Sequence, residues 1–408
     1  MRILVHDYAG HPFPTELSRS LARRGHHVTH AFATNLVTPR GNLSRQPKDS
    51  PELAFRPVAM SAAYRTNKYS FLKRAGYERD YGLELAALVA ELRPDVILSG
   101  QTPSVPQWRL LRTAGSLGIP VITWVQDVYS VAVRTLARKR SRLLGELAGA
   151  WYGWLDRRCF QASASVVAIT EDFRPVLRDF GVRDSRIHVV PNWASLEEIS
   201  PRPRENAWSR ARGLDGRFVF LYSGTLAMKH NPELLSTLAE HFSADPTAHL
   251  LVIAEGPGAE ALRRRQQARA LPNLELLPFQ PYENMPDILG AADVAIAILE
   301  ADAGAFSVPS KVLTYHAAGK PILAAMPARN LATRIIQTEG SGVCVEPGDT
   351  AGFVEAARRL KQDAALRQTM ARRARAYADR EFDIGRITAR FENILAEAVG
   401  GEGTRARS

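Results

Sequence analysis

Several short stretches of this 408-residue chain carry residue types that could hold a phosphate or orient a hydroxyl. In Ser307-Val308-Pro309-Ser310-Lys311-Val312, the proline suits the first turn of a helix, and Ser310 and Lys311 would follow inside that turn. Exposed N–H groups, a hydroxyl and an ammonium would then converge on one anion. The bland alternative is an N-cap serine before a solvent-facing lysine. In Ser223-Gly224-Thr225-Leu226-Ala227-Met228-Lys229-His230, a glycine turn is followed by a lysine, again a phosphate signal, or a plain turn with an exposed lysine. Its spacing is not that of a P-loop. Gly256-Pro257-Gly258 opens another predicted helix. In Asp7-Tyr8-Ala9-Gly10-His11-Pro12, Gly10 and His11 lie between a strand and a helix, where backbone can approach a ligand or simply turn. In Trp124-Val125-Gln126-Asp127-Val128, Asp127 follows an apolar strand. A carboxylate there can orient or deprotonate a hydroxyl, or cap the next helix.

The elements that must position these residues alternate in type. Apolar strands are expected at 2–5, 27–33, 96–99, 121–125, 165–169 and 187–190, with amphipathic helices at 15–24, 78–92 and 105–117. Residues 35–70, rich in Pro, Asn and Ser, read as loop. After a polar stretch from Pro191 to Asp215, the pattern restarts. Strands are expected at 218–222, 250–254, 274–277, 293–299, 321–325 and 342–345, and helices at 350–361, 363–378 and 384–399 close the chain. This predicts two successive α/β units, 1–195 and 196–383, with a final helix over 384–400 and a frayed tail at 401–408. In such sheets ligands lie beyond the carboxyl ends of strands at a topological switch point, so two facing units would share one cleft.

Composition narrows the partners. The net charge of +11 fits nucleic acid, an anionic membrane surface or a phosphorylated substrate. No finger spacing, aromatic-basic RNA motif or basic-region heptad supports nucleic acid. Two cysteines, Cys159 and Cys344, point to a reducing compartment without a disulfide framework. The opening residues read as a strand and not as a signal peptide, and no apolar run is long enough to span a bilayer, so a cytoplasmic location is expected. Residues 134–158 hold seven basic and two acidic residues around Leu143, Leu147, Trp151 and Trp154. Such a segment suits a helix lying on an anionic bilayer, or a core helix with a solvated basic end. Histidines do not cluster as metal ligands.

Taken in order, "GHPFPTELSRSLARRGHHVTH", "WVQD", "VVPNW", "YSGTLAMKHNPELL", "IAEGPG", "LPFQPYENMPDILGAADVAIAIL" and "VPSKVLTYHAAGKPILA" resemble the family-4 glycosyltransferases of the GT-B fold. The likeness is greatest to the bacterial polysaccharide enzymes of the colanic-acid and O-antigen type, and it runs over nearly the whole chain. It implies two facing Rossmann-like domains with a deep cleft, a nucleotide-sugar held mainly by the C-terminal domain, and retaining transfer without a bound metal or other cofactor. It further implies that Lys229, Pro309, Ser310, Lys311 and Val312 surround the donor diphosphate. Gly224 and Gly256 would let backbone approach, Phe279 would lie beside the base, and Gly10 and His11 would form a glycine loop. The last helix would return to the first domain.

The chain departs from that family at four places. Glutamates usual there are replaced by Phe306 and Thr314, an arginine by Thr225, and the acceptor-side histidine by Gln126. Thr314 leaves the ribose without its usual partner, and Asp127 is the nearest group for acceptor activation. The expected reaction moves a sugar from a nucleotide-diphosphate donor, UDP-linked in preference to GDP-linked, to a glycan or polyprenyl-diphosphate-linked acceptor at the membrane. Lys229 and Lys311 would meet the leaving charge. The competing readings are a sugar-nucleotide epimerase of the same fold and a non-catalytic scaffold subunit.

Overall fold

The computed structural model describes the chain except residues 37, 39, 68–70, 139–140, 228–229, 270, 302–308 and 403–408. It divides into two compact units. One comprises Met1–Pro191 together with the C-terminal helix from Ile384, the other Asn192–Asp383.

The first unit is built on a seven-stranded sheet. Its strands are β1 (Arg2–Asp7), β2 (His27–Ala33), β3 (Leu53–Val58), β4 (Val96–Gly100), β5 (Val121–Val125), β6 (Ser165–Ala168) and β7 (Ile187–Val189). Their order is β3-β2-β1-β4-β5-β6-β7, and neighbours run parallel. The central strands β1, β4, β5 and β6 carry apolar runs rich in Val and Ile without alternation, as burial on both faces requires. The order reverses between β1 and β4, which sets the switch point there.

Two expectations fail in this unit. Residues 35–70 are not all loop, for they contain β3 and a short helix Tyr64–Asn67. Arg56 and Pro57 interrupt the apolar run of β3 and hide it in the sequence. The structure tolerates them because β3 is an edge strand, where a proline lacks no partner on its open side. The helix expected at 78–92 begins earlier, at Phe71. The basic stretch forms two helices, Tyr129–Arg138 and Arg142–Ala162, packed on each other. Gly145 and Gly149 allow that approach. A Cβ at Gly149 would come within 2.8 Å of the Arg134 side chain, and one at Gly145 within 2.9 Å of the Arg138 backbone nitrogen.

The second unit has six parallel strands: β8 (Phe218–Ser223), β9 (Ala248–Ile253), β10 (Leu274–Leu277), β11 (Val294–Ile298), β12 (Ile322–Ala325) and β13 (Gly342–Val345). They are ordered β10-β9-β8-β11-β12-β13, so the switch point lies between β8 and β11. Its core, with Phe220, Tyr222, Leu235, Leu250, Ile296 and Phe353, is closed to solvent. No helix among the described residues is long and apolar enough to cross a membrane.

Candidate functional site

At the switch point of the second unit, the loop after β8 meets the helix Ser310–Ala317, which follows β11 in the chain. Pro309 is the N-cap of that helix and has no side chain to cap it, so the first-turn N–H groups keep their partial positive charge. Ser310 is exposed there, and Lys311 is half-buried. The Lys311 side chain runs back toward β8, its Nζ 3.6 Å from the centre of the Tyr222 ring. Gly224 has a φ of +126°, open to glycine and strained for other residues. A Cβ at Gly224 would stand 3.2 Å from Lys311 Cε and 3.5 Å from Nζ. The glycine therefore supplies both the turn and the room that the ammonium occupies.

The support beneath is polar and buried. Tyr315, one turn along the helix, accepts the Ser223 N–H at 3.1 Å and donates to the Ile296 carbonyl at 3.2 Å. This single hydroxyl joins β8, β11 and the helix, and burial pushes it well above the ordinary tyrosine range. His316 bonds Val312 O at 2.7 Å and Ser341 Oγ at 2.9 Å, and burial lowers it to about 4, so it is neutral and structural. Val312 is buried.

The loop after β9 is zipped onto the loop after β8. Gly224 N–H donates to Ile253 O at 3.0 Å, Leu226 N–H to Glu255 O at 2.9 Å and Gly258 N–H to Leu226 O at 2.9 Å. Gly256 has φ +114°, and a Cβ there would lie 3.0 Å from the Leu226 carbonyl oxygen. Gly256 thereby brings the N-terminus of helix Pro257–Ala268 against the segment carrying Gly224 and Thr225. Thr225 is exposed, and its carbonyl accepts the Tyr222 hydroxyl at 2.9 Å. The structure thus gathers Gly224, Thr225, Gly256 and Lys311 at the ends of β8, β9 and β11. Phe279 is half-buried after β10 and Thr314 half-buried one turn beyond Ser310, and neither makes a hydrogen bond or ring contact with that group among the described residues. Lys229 lies outside the described residues, as do Phe306, Ser307 and Val308.

In the first unit, Asp7 accepts the N–H groups of Ala9 (3.2 Å) and His11 (2.5 Å), which shapes the loop around Gly10, φ +75°. Burial raises the Asp7 carboxyl, opposed by His11 and these N–H groups. Gln126 and the exposed Asp127 follow β5. Phe13 packs edge-on to Trp124 at 5.3 Å, and Phe391 of the C-terminal helix lies 4.8 Å from Trp124, so this helix supports the strand end that presents Asp127.

A further carboxylate lies in this unit besides Asp7 and Asp127, one that the sequence does not mark. Glu78 is fully buried, and one of its oxygens accepts Arg74 Nε at 2.7 Å and Tyr129 Oη at 3.0 Å. Its other oxygen has no hydrogen-bond partner among the described residues. Burial raises its pKa, with Arg74 and Tyr129 pulling the other way. Tyr129 comes from the segment after β5 and Tyr81 from the same helix as Glu78, one turn on. Tyr8, from the loop after β1, packs edge-on to Tyr81 at 5.1 Å. The spacing 74, 78, 81, 85 marks one face of the helix Phe71–Leu92, a signal that reads equally as plain core. Among the described residues no group of three or more His, Cys, Asp or Glu could hold a metal ion.

Comparison with known proteins agrees with this architecture. Residues 14–198 match the model of Glycosyltransferase Family 4, and residues 205–377 that of Glycosyl transferases group 1. The chain is 29% identical over 266 residues to the probable glycosyltransferase WbjE of Pseudomonas aeruginosa, covering 63% of this chain and 64% of WbjE. It is 24% identical over 219 residues to WcaI of Escherichia coli (strain K12), named for colanic acid biosynthesis, covering 53% of each. The chain thus spans about half to two thirds of the length of these relatives. Among solved structures, Anabaena HepE in complex with UDP and glucose superposes with a TM-score of 0.69 at 13% identity, over 97% of this chain and 100% of that one. With one model on each half, and both halves folded as parallel doubly wound sheets, the chain belongs to the family-4 glycosyltransferases of the GT-B fold.

Proposed function

We propose that this protein transfers a sugar, with retention and without a bound metal, from a UDP-linked donor to a lipid-linked glycan acceptor in cell-surface polysaccharide synthesis. The observation that carries the reading is the Lys311 ammonium, fixed over Tyr222 beside Gly224 at the mouth of an uncapped helix. In the reaction, the bond between the anomeric carbon and the diphosphate oxygen breaks, and the nucleoside diphosphate leaves with the electron pair. Lys311, the N–H groups around Ser310 and the N-terminus behind Gly256 meet that charge, and Lys229 adds a second cation. A preorganised cation and amide dipoles in a low-dielectric setting are worth more to the transition state than to the ground state. The acceptor hydroxyl bonds the anomeric carbon, and Asp127 orients it or takes its proton. WcaI and HepE support the reading through the polysaccharide named for the one and the UDP and glucose bound to the other.

The acceptor reaches the protein at the inner face of an anionic membrane. On the helix Arg142–Ala162, Leu143 is 70%, Leu147 62% and Trp151 57% exposed, an apolar face that a water-soluble surface rarely keeps. Arg138 and Arg142 stand at its start, and Arg157 and Arg158 at its end. Arg158 stacks on Trp154. Aromatic and leucine side chains framed by arginine match the lipid headgroup boundary.

A panel of UDP- and GDP-sugars, scored by nucleotide release with and without membrane extract, tests the activity. Release from a UDP-sugar, stimulated by extract, is expected. If no nucleoside diphosphate binds in calorimetry, the chain acts as a scaffold instead.

A further inference from the structure

Between the helices Phe71–Leu92 and Ser104–Ser116 of the first unit runs an open groove of about 440 Å3. Arg79 lines it from the first helix, and Val105, Trp108, Arg109 and Arg112 from the second. The spacing 105, 108, 109, 112 places those four on one face of the helix. Gly82 makes the approach of the two helices possible, since a Cβ there would meet Pro106 Cα at 3.1 Å and Arg109 Cδ at 3.5 Å. Among the described residues Arg79 pairs only with its exposed neighbour Asp80. The side chains of Arg109 and Arg112 make no ion pair or hydrogen bond among the described residues. Two unneutralised guanidinium groups within one helical turn repel each other, and an anion between them removes that cost.

Helix packing links the groove to the helix that carries the apolar face described above. The helix Ser104–Ser116 packs against both the helix Phe71–Leu92 and the helix Arg142–Ala162. Val105 and Trp108 lean on the cluster Val133, Tyr152 and Leu155 that underlies the exposed leucines and tryptophans. Asp156 locks the layer, accepting Ser104 Oγ at 2.5 Å and the Ser130 N–H at 2.8 Å. A ligand with its phosphate among the three arginines is therefore held by a helix packed against the one that presents the surface for acyl chains.

Resting on the membrane reading, we propose that the groove is a lipid-phosphate site: Arg79, Arg109 and Arg112 grip a phosphate or diphosphate carried by a membrane lipid. Arginine forks match phosphate oxygens in pairs, and the Trp108 ring offers an interfacial wall beside them. The site gives a lipid-borne acceptor a fixed anchor in the acceptor unit, separate from the donor site around Lys311.

Vesicle co-sedimentation tests it, using phosphatidylcholine alone and with about 30% phosphatidylglycerol, at several salt concentrations. The wild type should bind the anionic vesicles, and the Leu147→Glu/Trp151→Glu variant should not. Arg109→Ala/Arg112→Ala should bind about tenfold or more weaker, at roughly tenfold per lost phosphate contact or less. Arg263→Ala/Arg264→Ala, which removes the same charge from exposed positions of the other unit, should bind like the wild type. UDP-sugar hydrolysis by the groove variant should be unchanged, which shows that it is folded. If the groove variant binds as the wild type does while the leucine-tryptophan variant fails, the lipid-phosphate site is wrong and the membrane reading stands. If the wild type ignores anionic vesicles, both fall. If inorganic pyrophosphate at millimolar levels saturates Trp108 fluorescence yet vesicles do not compete, the site takes a free phosphate and the lipid source is overturned.

Discussion

The Lys311 ammonium lies 3.6 Å from the centre of the Tyr222 ring, held between a strand end and a helix N-terminus that are 89 residues apart in sequence. The ring face attracts the cation and fixes its position at the helix N-terminus. Lys311→Met keeps the stem and removes the charge. It should fold normally and lower kcat by about a hundredfold or more, on the order of 3 kcal/mol of transition-state stabilisation, with KM changing much less. Steady-state kinetics decide this, and an unchanged kcat would remove Lys311 from the leaving-group role.

Gly224→Ala acts on the same pair from the other side. The φ of +126° is strained for alanine, at a cost of about 1–3 kcal/mol, and the new methyl presses on Lys311 Cε. Both the melting temperature and kcat should fall. Because the kcat loss passes through Lys311, Gly224→Ala should reduce kcat little further in the Lys311→Met background. Additive losses in that double mutant cycle would show that Gly224 serves something else.

Tyr315→Phe deletes one buried oxygen and leaves the Ser223 N–H unpaired. A buried donor left without a partner costs about 1–3 kcal/mol. The denaturant midpoint should drop accordingly, with the slope of the transition preserved. A stability equal to the wild type would mean that water or a rearranged carbonyl takes up the bond.

Among the carboxylates of the first unit, exposed Asp127 and buried Glu78 are the two candidates for the acceptor hydroxyl. Asp127→Asn should lower transfer to acceptor at least tenfold while leaving UDP-sugar hydrolysis in place. Glu78→Gln should leave transfer within a few-fold, since it keeps the volume beside Arg74 and Tyr129. The reverse pattern would move the acceptor role to Glu78, whose second oxygen lacks a partner among the described residues.

His316 predicts a pH dependence of stability. Its folded pKa is lowered to about 4 by burial, against about 6.5 for an unfolded histidine. Above about pH 6.5 the group is neutral in both states and takes nothing from stability. Between there and about 4 the unfolded chain binds a proton that the folded chain refuses, so stability falls as pH falls, by up to about 1.4 kcal/mol per pH unit. His316→Gln should lose some stability at neutral pH and show a shallower decline toward pH 5 in urea titrations. His6 and His30, also buried and lowered to about 3, act with the same sign in the first unit.

The sequence by itself determined the two parallel α/β units, because strands buried on both faces and helices buried on one leave apolar runs and helical periodicity that local composition records. It also marked Gly224, Gly256 and the Pro309–Lys311 turn, since glycine at positive φ and proline at a helix start are local requirements of the backbone, although Pro309 takes the N-cap and not the first turn expected for it. Strand β3 escaped notice because an edge position tolerates the Arg56 and Pro57 that break its pattern. Tertiary structure alone decided what faces what. Tyr222 reads as one more core aromatic until the helix Ser310–Ala317 crosses it. Glu78 reads as one more position on a helix face until Tyr129, 51 residues away, closes over it. The face of the helix Arg142–Ala162 shows the same limit. Leu143, Leu147 and Trp151 are apolar whether they meet a core or a membrane, and only the packing of Gly145, Gly149 and Tyr152 on the opposite side leaves them outside. Periodicity records that a face is apolar, whereas its partner is set by strand order and helix packing over distances no local pattern encodes.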